Sequence, residues 1–149
     1  MPSGWQAGQV PTVDLVDETY LHAPVARVAE VVHDRARWSL WWPALTPVVF
    51  MDRGIAGIRW NVTGALIGSM EIWLEGYEAP LDGVLLHFYL RADPTAPGSA
   101  TQSVQLSGRA ARTLSVRWAK ASKHNLWRLK DELEGRWQEP VRGAHEGGQ

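Results

Sequence analysis

Three stretches of the chain alternate apolar and polar side chains with a period of two: Gly57 to Thr63, Gly68 to Glu78 and Gly83 to Ala92. One parity is nearly all apolar, with Ile58, Trp60, Val62, Met70, Ile72, Leu74, Val84, Leu86, Phe88 and Leu90. The other carries Arg59, Asn61, Glu71, Trp73, Glu75, His87, Tyr89 and Arg91. Such alternation predicts antiparallel strands with one covered face. Val13 to Leu21 and Pro47 to Asp52 add two further extended segments. Arg53-Gly54, Gly64 and Pro80-Leu81-Asp82-Gly83 supply the turns of a meander.

The period lengthens to a helical one in three places. Val25, Val28, Ala29 and Val32 follow Pro24, which suits the first turn of a short helix. Asp34 can cap a second, carrying Trp38, Trp41 and Trp42 and ended by Pro43. From Arg109 to Trp137 a long pattern puts Ala111, Leu114, Trp118, Ser122, Asn125, Leu129 and Leu133 on one stripe, with Arg112, Lys120, Lys123 and Lys130 opposite. This helix is the natural cover for the apolar face. Ser122 and Asn125 are small and polar where a packed core prefers bulk, so a gap is expected there.

The outer parity raises a question of chemistry. A hairpin centred on Leu81 sets Glu71 opposite Arg91, Trp73 opposite Tyr89 and Glu75 opposite His87. Facing solvent, these pairs form a salt-bridged ladder. With the faces reversed, His87 beside Glu75 becomes an acid-base pair, with Tyr89 nearby. Asp17 shares the inward parity of Val13, Leu15 and Leu21. It is the best candidate for a carboxyl in a water-poor pocket, where burial pushes the pKa toward neutrality.

Composition narrows the choices. With 149 residues, 45% of them hydrophobic and 21% charged, the expectation is one globular core. We read residues 1–12 as a flexible lead-in, 13–137 as a single domain and 138–149 as a disordered tail. A net charge of -1 disfavours nucleic-acid binding. The absence of cysteine excludes disulfides, thiolate nucleophiles and Cys-based metal sites, and the five histidines lack ligand spacing, so no metal is expected. No phosphate loop or dinucleotide fingerprint appears, and no cofactor is expected. Met1 to Pro11 holds neither a basic segment nor a signal-length apolar stretch, and no apolar run reaches membrane-spanning length, so a cytoplasmic location is expected. Nine tryptophans point to pocket walls as well as core.

The order strand, two short helices, meander, long C-terminal helix is a helix-grip arrangement. Specific residues sharpen it: Asp17-Glu18-Thr19 to His22-Ala23-Pro24, Trp41-Trp42-Pro43, Gly57-Ile58-Arg59-Trp60, Gly68 to Glu75, Asp82-Gly83-Val84 to Tyr89, and Leu129 to Gly135. Over residues 13 to 137 the sequence resembles the START-like (SRPBCC) superfamily in its bacterial polyketide cyclase/dehydrase-like branch. The resemblance implies an α+β fold, a curved antiparallel sheet of five to seven strands wrapped around the C-terminal helix. It further implies an apolar cavity that takes lipids, sterols or polyketides. About 15 residues after Asp93 stand where the superfamily normally has two strands, so a five-strand sheet open on one side is one outcome.

Three functions follow. A carrier would bind a hydrophobic molecule in a cavity lined by Trp42, Trp60, Met70, Ile72, Phe88 and Trp118, with Asn125 and Asp17 as polar anchors. A cofactor-free cyclase or dehydratase would use Asp17, Glu75, His87 or Tyr89. A membrane-surface module would use the basic helix face and Trp127 in transient contact with anionic lipid.

Overall fold

A computed structural model describes residues 10–135. The expected lead-in up to residue 9, the helix end at Trp137 and the expected tail 138–149 lie outside the described residues. The elements in order are β1 (Val13–Leu21), α1 (Val25–Val32), α2 (Arg35–Trp41), β2 (Leu45–Asp52) and a 3-10 turn (Gly54–Ala56). They continue with β3 (Gly57–Gly64), β4 (Leu66–Tyr77), β5 (Gly83–Pro94), α3 (Gly108–Lys130) and a π-helical turn (Asp131–Gly135). The strands form one antiparallel sheet in the order β1-β5-β4-β3-β2. Between β5 and α3 the chain makes one isolated bridge, Thr95 to Ser103, and no strand. The count is therefore five, the lower limit expected.

Local chemistry explains the boundaries. The Asp34 carboxylate accepts the Ala36 N–H at 3.1 Å and caps α2. Pro47 sits in β2, an edge strand, where its missing N–H costs the ladder least. Gly57 opens β3 at φ 126°, and a Cβ there would strike the Ile72 carbonyl oxygen, so only glycine fits where β3 meets β4.

The apolar parity of β3, β4 and β5 is buried throughout, under Val28, Val31 and Val32 of α1 and Leu126, Leu129 and Leu133 of the C-terminal helical segment. An aromatic chain crosses this core. Trp60 meets Trp38 and Trp42 edge-to-face, each at 5.2 Å, and Trp42 stacks on Phe88 at 6.3 Å. The Trp60 indole N–H is the one buried side-chain polar atom without a hydrogen-bond partner among the described residues.

Two expectations are corrected. The β4–β5 hairpin is centred on Pro80, not Leu81: Tyr77 pairs with Gly83, Glu71 with Tyr89, Trp73 with His87 and Glu75 with Leu85. The Glu78 carbonyl accepts both the Leu81 and Asp82 N–H groups, and Asp82 turns left-handed at φ 45°, which closes the loop one residue earlier. Because the slip moves every pair by two, the faces stay as read. Lys123 and Lys130 also do not point away from the sheet. Both reach toward β1, along which α3 packs most closely.

Candidate ligand-binding cleft

The two halves of α3 sit differently. From Gly108 to Ala121 no residue is buried, whereas Ser122, Leu126, Leu129 and Leu133 all are. Polar bonds fasten this second half on both sides. Asn125 Nδ2 donates to the Trp41 carbonyl at 2.8 Å, and two guanidinium nitrogens of Arg37 donate to the Glu132 carboxylate at 2.9 and 2.8 Å. On the β1 side Lys123 Nζ donates to Asp17 Oδ1 at 2.6 Å and Lys130 Nζ to the Tyr20 carbonyl at 2.7 Å. Glu134 accepts the His22 N–H at 2.6 Å and pairs with Lys130 at 3.0 Å. Burial works to raise the Glu134 carboxyl, but the His22 N–H and the Lys130 ammonium outweigh it and hold it below the ordinary carboxylate range. The hydrogen bonds that Arg37 donates to Glu132 raise its guanidinium above its ordinary value.

The first half of α3 stands beside a cleft of about 500 Å³. Its walls are Leu114, Arg117, Trp118 and Ala121 of α3, Trp41 to Ala44 after α2, and Ala65 and Pro94 at the strand ends. The segment after Pro94 makes this opening, because it is pinned against the β3–β4 turn and adds no strand across the gap. Thr95 Oγ1 donates to the Gly64 carbonyl at 2.6 Å, the Gly64 N–H to Ala100 at 3.0 Å, and the Val104 N–H to Pro94 at 2.9 Å. Inward the cleft shares Trp41, Trp42, Ser122 and Asn125 with a neck of only about 20 Å³, floored by Ile72 and Phe88. The volume suits a small apolar molecule at the mouth; the interior is packed.

Of the expected lining, Trp42, Trp118 and Asn125 line the cleft, and Ile72 and Phe88 line the neck. Trp60 and Met70 are packed in the core and touch neither space. Trp41, Leu114, Arg117 and Ala121 were not singled out from the sequence. Leu114 on the apolar stripe and the Trp41-Trp42-Pro43 run were the available signals. A larger groove, about 790 Å³, runs between α2 and the second half of α3. It is bordered by Arg27, Asp34, Arg37, Arg128 and Glu132 together with Leu40, Trp41 and Leu129, a lining that mixes charge with apolar surface.

None of the acid-base candidates lines the cleft. Asp17 faces α3, where it accepts Lys123 and also the Glu18 N–H at 2.8 Å. Glu75, His87 and Tyr89 lie on the outer face of the sheet. There His87 is only 6% exposed: its Nδ1 is 2.9 Å from Glu18, its Nε2 is 3.1 Å from Glu75, and its ring stacks on Trp73 at 4.4 Å. Glu18 was missed, since it reaches His87 through the β1–β5 pairing, which no local pattern announces. Among the described residues no group of three or more His, Asp or Glu side chains could hold a metal ion. No described helix is long and apolar enough to cross a membrane.

In sequence, no family model and no curated protein matches the chain. In structure it is similar to DR_A0006 from Deinococcus radiodurans, with a TM-score of 0.56 and 13% identity, covering 82% of this chain and 97% of that one. It is similar also to the Aha1 dimer from Colwellia psychrerythraea, with a TM-score of 0.51 and 14% identity, covering 83% and 97%. A START superfamily protein from Mycobacterium smegmatis overlaps at a TM-score of 0.49 and 11% identity, covering 80% and 98%. At such identities the likeness is one of fold, a curved antiparallel sheet gripping a long C-terminal helix.

Proposed function

Starting from a helix grip that is fastened at one end and open at the other, we propose that this protein binds a hydrophobic small molecule in the cleft beside the first half of α3. The observation that carries the reading is the cleft itself. It is about 500 Å³ in volume, walled by Trp41, Trp42, Leu114 and Trp118, and reaches two neutral polar groups, Ser122 and Asn125, at its inner end. Apolar walls supply the driving force, roughly 25 cal/mol for each Å² of ligand surface removed from water, and the polar groups orient the guest. Among the described residues the lining holds no carboxylate and no histidine. That favours holding a ligand over moving protons on it, because general acid-base work needs a titrating group within hydrogen-bond reach.

A titration with N-phenylnaphthylamine, a neutral dye that brightens in apolar sites, tests the reading. We expect saturable enhancement in the parent chain. Ala121→Trp fills the mouth from an exposed helix position and should abolish it while leaving the denaturation midpoint in place. Equal dye binding by parent and Ala121→Trp would place any ligand elsewhere.

A further inference from the structure

The cleft has a charge asymmetry that an apolar guest alone does not use. Among the described residues that line it Arg117 is the only ionisable one. Its side chain is exposed and makes no hydrogen bond or ion pair among the described residues. The surrounding helix reinforces the sign: α3 carries seven Lys and Arg residues and not one Asp or Glu. Lys123 and Lys130 are engaged with Asp17, Glu134 and the Tyr20 carbonyl, whereas Lys120, one turn beyond Arg117, is exposed like it. A guanidinium at the lip of an apolar slot is here a donor fork without an acceptor among the described residues.

Resting on the reading above, we propose that the ligand is an anionic amphiphile. Its carboxylate or phosphate head is taken by Arg117 at the mouth, and its apolar portion lies along Leu114, Trp118 and Trp42 toward Asn125. The head stays at the lip, in contact with water, so no charge has to be buried. Near a half-solvated site such a charge-assisted pair favours the anion by about tenfold over a neutral guest of the same tail.

The test displaces bound N-phenylnaphthylamine with dodecanoate and with dodecan-1-ol, which share a tail and differ in the head. We expect dodecanoate to act at about tenfold lower concentration in the parent chain, and at nearly the same concentration as the alcohol in Arg117→Gln. The alcohol itself should displace equally from both. Lys120→Gln serves as a control that removes a neighbouring charge without touching the lining. Short-chain phosphatidate, run alongside, separates the sources of the head. Stronger Arg117-dependent displacement by the phosphate points to a phospholipid, and stronger displacement by dodecanoate to a free acid; either supports the proposal. Equal potency of acid and alcohol in the parent overturns it while the cleft still binds. A preference that survives in Arg117→Gln, or is lost in Lys120→Gln alone, overturns the role of Arg117. Failure of the dye to bind at all removes the underlying reading, and this inference with it.

Discussion

The two halves of α3 have the same backbone and a similar basic composition, yet one is held and the other is not. From Ser122 onward the helix buries Leu126 and Leu129, the π-helical turn that continues it buries Leu133, and the helix is bonded to β1 on one side and α2 on the other. Before Ser122 it packs only the half-buried Leu114 and Trp118 against the core and borders open space. The difference teaches that the grip and the opening are one design choice. With no strands between Pro94 and Gly108, the first half has no sheet to lie against, and the fold concentrates its fastening at the far end.

The strongest way to break this comparison is to empty one contact from each half. Leu129→Ala removes a buried side chain and should cost about 2–5 kcal/mol in urea denaturation. Leu114→Ala, at a half-buried position, should cost under about 1 kcal/mol and weaken dye binding instead. Equal losses would erase the distinction. His87→Ala asks whether stability outside the cleft is separable from binding. It leaves Glu18 and Glu75 facing each other across an emptied site, should cost roughly 1–2 kcal/mol, and should leave dye affinity unchanged.

A pH series sharpens the fastening itself. The folded Glu134 carboxyl titrates below its unfolded counterpart, so its contribution is complete above the ordinary glutamate value of about 4.3 and is lost as pH falls through the lower, folded value. Glu134→Gln should therefore lower stability at neutral pH and flatten its acid-side decline. A decline as steep as the parent's would show that other carboxylates carry it. The smallest effect is expected at Val116→Ser, on the exposed side of the free half, which should change stability by no more than about 0.5 kcal/mol.

Much of the fold could be read in advance because its signals are local. Period-two alternation marked β3 to β5 and their covered face, Asp34 and Pro43 bracketed α2, and the stripe from Ala111 to Leu133 identified the inward side of α3. Ser122 and Asn125 flagged the gap that the cleft occupies. What escaped depended on distant pairings. The hairpin register was set by Asp82 turning left-handed, a choice that the Pro80 to Gly83 run does not dictate. Lys123 was assigned outward because the helical wheel cannot see Asp17, which arrives from a strand 106 residues away in sequence. Trp60 and Met70 were grouped with the cavity because strand parity tells inward from outward but not filled from empty.

The strand order has a consequence for how the chain assembles. The meander from β2 to β5 can close hairpin by hairpin, each step joining near neighbours. β1, synthesised first, must wait for the strand synthesised last: Val13 pairs with Ala92. Until then β5 offers a bare ladder of amides and carbonyls to any other chain. Loop-closure entropy makes that pairing the most costly one in the sheet, and α3 gains its contacts with β1 only once β1 is in place. Among the five strands the first made is thus a partner of the last, and until it docks the open edge of β5 is the place where another chain could add itself.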